Sequence, residues 1–182
     1  MKKAPFWKTN GGLAHGCVLA LTGKATHAIQ ILTSAISTFR ATGATWSVPF
    51  RLACLAKAHA ELGQFEEASR RLDEAMMMVE ASNEVWAHSE ILRVGGEIAL
   101  MSPEPDTAKA EMYFERALAV ARQQQAKSWE LRAAMSLARL WRDQGKVQQA
   151  RELLAPVYGW FTEGFDTRDL KDAKALLEEL AV

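Results

Sequence analysis

The sequence predicts an all-α fold of four antiparallel helix pairs followed by a ninth, C-terminal helix. Two repeated features and the composition support this prediction. An alanine recurs at spacings of 40, 42 and 40 residues, and a large apolar residue follows each of these alanines by four positions. That spacing puts the small and the large side chain on one helical face. The chain of 182 residues is 49% hydrophobic and 24% charged, as expected for a globular domain rather than a disordered one.

The recurring alanines predict the contacts between the two helices of each pair, because a small residue lets two helices approach closely. The first, second and fourth of these alanines each follow a turn glycine by five positions. The third alanine follows a Pro-rich turn at residues 102–106, and the two additional residues of the 42-residue spacing lie in that turn. The repeat positions are Gly23 with Ala28, Gly63 with Ala68, Ala110, and Gly145 with Ala150. We expect one domain, residues 1–182, with units at about 6–43, 44–82, 83–125 and 126–163. A tryptophan near the start of three units predicts an anchor between neighbours: Trp46, Trp86 and Trp129.

The two ends of the chain differ. A last helix at residues 167–181 places apolar residues on one face and charged residues on the other, as a cap of a repeat array does. Its apolar face is Leu170, Ala173, Leu177 and Leu180. The first helix, from about Phe6 to Leu21, is apolar on nearly all sides and has no such cap. In the eighth helix, Pro156 predicts a kink or an early stop.

Charge is distributed unevenly although the net charge is zero. Residues 1–60 contain seven Lys and Arg and no Asp or Glu, so the acidic residues all follow. The total gives no support for nucleic acid or a membrane surface as a partner. An apolar, basic N-terminal end predicts a docking surface, for an upstream repeat of a longer chain or for the acidic part of a second copy, which would give a homo-oligomer.

No motif indicates catalysis, a cofactor or a metal, and we expect a protein that is not an enzyme. The four histidines lack metal-ligand spacing, and neither glycine pair opens a phosphate-binding loop. Cys17 and Cys54 fall in apolar helical contexts, where a thiol behaves as a small buried hydrophobe. They imply no disulfide framework, which favours a cytoplasmic location, and the N-terminal apolar run is too short for a signal peptide.

The repeat resembles the tetratricopeptide repeat (TPR). The best match is Leu137–Trp141 with Gly145, Ala150 and Leu154, and residues 62–75 are nearly as good. More narrowly, residues 126–132, 140–145 and 158–170 resemble the C-terminal repeats of bacterial regulators that join a nucleotide-cyclase or DNA-binding domain to a predicted ATPase. The resemblance implies a right-handed αα-superhelix that binds proteins.

The concave face of such a superhelix is lined by the first helix of each pair. One stripe of the fourth unit, together with one residue of the third, predicts a peptide-binding site: Arg93, Arg132, Met135, Arg139 and Arg142. We expect Glu90 to pair with Arg132 and Glu97 with Arg139, which leaves Arg93 and Arg142 free for a carboxylate or phosphate.

The leading hypothesis for function is a protein-protein interaction module, the sensing or assembly arm of a bacterial signalling regulator, with a protein or peptide partner of acidic character. The alternatives are a small nucleotide- or ligand-binding protein or enzyme, and a non-functional fragment of a longer gene. A thermal-shift screen with nucleotides, metals and acidic peptides separates the first two classes, because a ligand of the folded state raises its stability.

Overall fold

The computed structural model describes residues 3–82 and 84–181, with side chains from Thr9 onward. This part of the chain forms nine α-helices and no strand, which confirms the predicted fold class. The helices are α1 (Lys3–Leu21), α2 (Ala25–Arg40), α3 (Val48–Glu61), α4 (Phe65–Ser82), α5 (His88–Met101), α6 (Thr107–Gln123), α7 (Lys127–Asp143), α8 (Val147–Gly159) and α9 (Arg168–Glu179).

The helices form two layers. Each odd-numbered helix contacts the next odd-numbered one, so α1, α3, α5, α7 and α9 make a continuous inner layer. The even-numbered helices pack on the inner helices before and after them and lie farther from one another, so that α2 and α4 meet only through long side chains such as Arg40 and Glu74 in the described residues. Because the outer helices are spread apart while the inner ones touch, the array curves with its concave face on the inner layer.

Small residues set how closely the helices of a pair approach. Ala28, Ala68, Ala110 and Ala150 have no exposed surface. On the partner helix of the third pair, Gly96 faces the ring of Phe114 so closely that an added Cβ would lie 2.4 Å from ring atom Cε1. Every pair therefore has a fixed close contact at the predicted position of its second helix.

Three of the four helix pairs share one backbone turn. Gly23, Gly63 and Gly145 have φ values of 74°, 73° and 79°, a left-handed conformation that glycine adopts without a steric penalty. In each case the next residue donates its N–H to a carbonyl five residues earlier, at 3.0, 2.9 and 2.8 Å. This satisfies carbonyls at the end of the helix and reverses the chain. The third pair instead starts its second helix with Asp106, whose Oδ1 accepts from the backbone N–H of Lys109.

Helix α5 lies at the centre of the core. Two hydrophobic clusters, one built on α1–α5 and the other on α5–α9, meet along it, and every residue from Ser89 to Gly96 is buried. Two charged residues, Glu90 and Arg93, are among them. The burial of charge on this helix defines the candidate site below.

The C-terminal region largely follows the predicted pattern. Helix α8 runs through Pro156 and ends at Gly159, so the stop falls about one turn after the proline. Helix α9 buries Leu170, Ala173 and Leu180 as expected, but its fourth core residue is Leu176. Leu177 is only partly buried, so the predicted face was wrong by one position there.

No helix in the described residues is long and apolar enough to cross a membrane. The unit boundaries proposed from the sequence remain a prediction. The helix of the first unit starts at Lys3. Residues 1–8 belong to the predicted N-terminal docking surface, and their side chains lie outside the described part of the chain.

Candidate functional site

A groove of about 460 Å³ crosses the inner layer of helices. Residues from α1, α3, α5, α7 and α9 line it, so all five inner helices contribute to one surface. Four of the five predicted binding residues are brought together there: Arg93, Arg132, Met135 and Arg139. We call this surface the concave groove.

The floor of the concave groove is a continuous series of ion pairs, which we call the ion-pair chain. Its members alternate in sign and come from α3, α5, α7 and α9 in turn. The paired oxygen and nitrogen atoms are separated by 2.6 to 3.8 Å, and the contact between Arg93 and Glu97 is shorter. In order, the chain is Lys57, Glu97, Arg93, Glu90, Arg132 and Asp169.

Arg93 was expected to be exposed and unpaired, and the structure shows the opposite. Its Nε and Nη2 donate to Glu90 Oε2 and Oε1 at 2.7 and 2.8 Å, and its Nη1 contacts Glu97. Burial by itself would lower the pKa of Arg93, but Glu90 and Glu97 raise it above its usual range. Arg93 therefore organises the floor of the groove and is not a free anion-binding group.

The intrahelical spacing of these three residues was visible in the sequence. Glu90, Arg93 and Glu97 are separated by three and four positions, the separations at which helical side chains meet. The expected pairs joined residues of different helices, whereas Arg93 pairs with two residues of its own helix. Lys57 and Asp169, which were not predicted, join the chain from α3 and α9 because those helices pack beside α5 and α7.

Two further expectations were wrong. Glu97 does not pair with Arg139; its carboxylate accepts from Lys57 Nζ at 2.9 Å and contacts Arg93. Met135 is buried, with 4% of its surface exposed, and contributes an apolar wall rather than an accessible contact. The expected pair of Glu90 with Arg132 is present at 3.8 Å, although Arg132 bonds more closely to Asp169, at 2.6 Å.

Arg139 is exposed at the edge of the concave groove and forms no hydrogen bond or ion pair with any described residue. It also lines a second, adjoining depression of about 270 Å³ between α7 and α9. Arg142 lies in that depression but is not free, because it pairs with Glu179 of α9 and with Asp143. Among the predicted arginines, Arg139 alone offers an unneutralised guanidinium.

Three aromatic side chains, which we call the aromatic edge, meet near the starts of α3 and α7, beside the groove residue Arg132. The ring of Phe50 lies 5.5 Å from that of Trp86 and 6.5 Å from that of Trp129, centroid to centroid. The guanidinium of Arg132 stacks over Trp129 at 5.1 Å, which connects this edge to the ion-pair chain. Trp46 is 59% exposed, so the prediction that it anchors neighbouring units was wrong.

A larger depression, of about 760 Å³, lies at the turn before α4 and its first residues. Arg70, the one basic residue of its lining, is already paired, because its Nη2 donates to both carboxylate oxygens of Glu67 at 2.6 and 2.7 Å. Among the described residues, only one turn and helix end line it, whereas five helices converge on the concave groove. We therefore place the candidate site in the concave groove. No cluster of three or more side chains suited to a metal occurs in the described residues.

The ion-pair chain makes stability depend on pH. Burial raises the pKa of Glu97, but the charges of Arg93 and Lys57 outweigh this and lower it below the usual 4.5. A carboxyl group whose folded pKa is lowered stabilises the folded state fully above its unfolded pKa, and the stabilisation is lost as the pH falls through the folded pKa.

We therefore expect Glu97→Gln to lower the free energy of unfolding by about 1 to 3 kcal/mol near neutral pH, the value of hydrogen bonds to charged groups. The difference from the unchanged protein should shrink as the pH falls below about 4.5, where the carboxylate becomes protonated. Urea unfolding at several pH values measures it. Glu178→Gln, at an exposed pair 3.8 Å from Lys174, is the control and should change little at any pH. A difference for Glu97→Gln that stays constant with pH would contradict the assignment.

Comparison with solved structures identifies the architecture. Two crystal structures of a kinesin light chain-like protein from Podosopora anserina, with nearly identical TPR-like repeats, superpose on this chain with TM-scores of 0.65 and 0.64. One of the two is a point variant. Sequence identity is 17% in both cases, and the match covers 99% and 98% of this chain and 87% of each of theirs. The chain therefore has a TPR-like solenoid fold, as predicted.

No protein-family model matches the chain. No curated protein matches it either. The narrower resemblance to bacterial cyclase and ATPase regulators thus gains no support, and it stays a prediction.

Proposed function

We propose that this chain is a protein-protein interaction module that binds an acidic segment of a partner protein in the concave groove. The observation that carries the proposal is the state of Arg139. Of the basic residues that line the groove, Lys57, Arg93, Arg132 and Arg168 all have carboxylate partners, and within the described residues only Arg139 has none.

The ion-pair chain supports this proposal by preforming the groove. Arg93 is held at three nitrogen atoms by the carboxylates of Glu90 and Glu97, so the floor does not have to reorganise when a ligand arrives. A preorganised surface loses less conformational entropy on binding. Its charges are balanced internally, so the floor gives shape while Arg139 gives preference for negative charge.

The aromatic edge supports a peptide rather than a small ion as the ligand. Trp86 is 40% exposed beside Phe50, which offers apolar surface next to the charged groove. Aromatic residues and arginine are the residue types that most often dominate binding energy at protein interfaces. A segment with an apolar residue near a carboxylate would contact both features at once.

The test uses an array of fluorescein-labelled twelve-residue peptides with acidic, neutral or basic charge, and fluorescence anisotropy of those that bind. We expect acidic peptides to bind preferentially, and Arg139→Ala to weaken them about tenfold, the loss of one charge-assisted contact. Arg151→Ala is the matched control, because Arg151 is also exposed but lies on α8 of the outer layer. Equal binding of acidic and basic peptides, or equal effects of the two substitutions, would exclude the proposed groove.

We further propose that the N-terminal end docks onto another surface, as the assembly arm of a larger regulator or as a contact with a second copy. Val18 and Leu21 of α1 are 55% and 42% exposed, within a region that contains no acidic residue. Residues 61–182 hold all 22 acidic residues against 15 Lys and Arg, so that part of a second copy carries the complementary net charge.

For self-association, sedimentation velocity at tens of micromolar should show a dimer or larger species that dissociates in part as salt is raised, because exposed charges are screened over about 8 Å at physiological ionic strength. Val18→Ser should weaken it, whereas Met77→Ser, at an exposed apolar residue of α4, should not. A strictly monomeric protein in low salt would rule out the second copy as the partner.

A further inference from the structure

The only two cysteines of the chain meet in the core between α1 and α3. Cys17 is 4% exposed and Cys54 is 5% exposed. Both belong to one hydrophobic cluster where α1 packs on α3, and the two thiols are close enough to shift each other's pKa although 37 residues separate them in sequence.

A cation faces this pair. Arg51, one turn before Cys54 on α3, directs its Nη1 at Cys17 Sγ, 3.5 Å away. The same guanidinium lies 5.6 Å from the ring of Phe50, and its Nε is buried without a hydrogen-bond partner. Within the described residues, Arg51 forms no ion pair with a carboxylate. Its charge is therefore available to the sulfur of Cys17.

The surroundings treat the two thiols differently. The hydrogen bond from Cys54 lowers the pKa of Cys17, and Arg51 lowers it further, against the effect of burial. For Cys54, donation of that hydrogen bond and burial raise the pKa, and the nearby charge of Glu90 acts in the same direction. A thiolate is the nucleophilic form of cysteine, so Cys17 is suited to attack and Cys54 to keep its proton until a second step.

We propose that Cys17 and Cys54 form an oxidation site at which a peroxide generates an intramolecular disulfide between α1 and α3. The sulfur of Cys17 attacks one oxygen of hydrogen peroxide, the O–O bond breaks, and the departing hydroxide takes a proton to become water. This leaves a sulfenic acid on Cys17. The sulfur of Cys54 then attacks Cys17 Sγ, the S–O bond breaks, and the leaving hydroxide takes the Cys54 proton. Two thiols and one peroxide thus become one disulfide and two waters.

The position of the bond gives it a structural consequence. Helix α1 contacts only α2 and α3 within the described residues, so it is held to the rest of the array through these two neighbours. A bond from Cys17 to Cys54 closes a loop that contains the whole of α2 and ties the first helix pair to the second. Oxidation would fix the relative position of the first two units at the end that we propose as a docking surface.

The experiment treats the full-length reduced protein with an equimolar amount of hydrogen peroxide and follows it by intact mass and peptide mapping. We expect a monomer that is lighter by two hydrogen atoms, with a linked peptide that contains both cysteines. Cys54→Ser should stop at the sulfenic acid, which dimedone traps on Cys17. Cys17→Ser should leave Cys54 unmodified at the same dose.

Arg51 distinguishes this site from a pair of inert core thiols. Arg51→Met should slow disulfide formation about tenfold, because the pKa of Cys17 rises without the cation and less of the nucleophilic thiolate is present, and Arg51→Lys should restore part of the rate. Arg40→Met removes a comparable cation that pairs with Glu74 away from the thiols, and it should leave the rate unchanged. Circular dichroism checks that each variant is folded. Equal rates for the unchanged protein and Arg51→Met, over-oxidised cysteine without a disulfide, or only intermolecular disulfides would overturn the proposal.

Discussion

Replacing Arg93 by methionine should lower the free energy of unfolding by about 3 to 5 kcal/mol, the usual result of removing one partner of a buried ion pair. Glu90 is 3% exposed and accepts two hydrogen bonds from Arg93, so the substitution leaves its carboxylate in the core without its principal donor. The remaining cation, Arg132, is 3.8 Å away and already bonded to Asp169. Urea unfolding followed by circular dichroism measures the loss.

Two controls separate the loss of the ion pair from the loss of side-chain volume. Arg139→Met makes the same chemical change at an exposed residue without a described partner, and it should change stability by no more than about 0.5 kcal/mol. The double substitution Glu90→Leu with Arg93→Met should recover much of the loss, because a buried ion pair can often be replaced by apolar residues of similar volume. A small loss for Arg93→Met, or no recovery in the double variant, would show that the pair is not buried as described.

Replacing Phe114 by alanine should also lower the free energy of unfolding by about 3 to 5 kcal/mol, because it leaves a cavity where a fully buried ring was packed. Phe114 is 1% exposed and fills the groove between α5 and α6 opposite Gly96. Phe165, 46% exposed, provides the same change at the surface, and Phe165→Ala should cost much less. Thermal or urea unfolding distinguishes the two outcomes.

The contact between Gly96 and Phe114 also predicts how a substitution at Gly96 depends on the ring. An added Cβ at Gly96 would lie 2.4 Å from Cε1 and 2.7 Å from Cδ1 of Phe114, so Gly96→Ala should destabilise the unchanged protein. In the Phe114→Ala background the ring is gone, and the same methyl group should stabilise, because alanine is favoured over glycine in a helix by about 1 kcal/mol. An added Cβ at Gly11 meets no atom of the described residues within 4 Å, so Gly11→Ala should stabilise in both backgrounds. An effect of Gly96→Ala with the same sign in both backgrounds would contradict this packing.

The sequence was most informative about positions that repeat. Ala68 and Ala150 recur at a fixed distance from a turn glycine, and the left-handed φ of Gly63 and Gly145 accompanies their burial. These features follow from local geometry, because a helix of fixed rise and a turn of fixed length bring the same positions together in every unit. The repeat therefore predicted the helix pairs and the contacts within them.

The candidate site was predicted only in part. The stripe that contains Arg132 and Arg139 does line the concave groove, since helical periodicity places these residues on one face. The accessibility of each residue was not predictable in the same way. Met135 has the spacing of an exposed residue in that stripe, yet the packing of the neighbouring inner helices buries it.

By itself, then, the sequence determined the all-helical class, the repeat, the turns and the face of α7 that meets the groove. Only the tertiary structure decided which charges remain free. Arg93 is buried because α3 and α7 pack on both sides of α5. Its charge is stabilised in the core because Glu90 and Glu97 lie one turn away on the same helix. Lys57 and Asp169 extend that chain from helices distant in sequence. Periodicity fixes which side of a helix a residue occupies, but the neighbours that cover that side, and the charges they bring, depend on how the whole array curves.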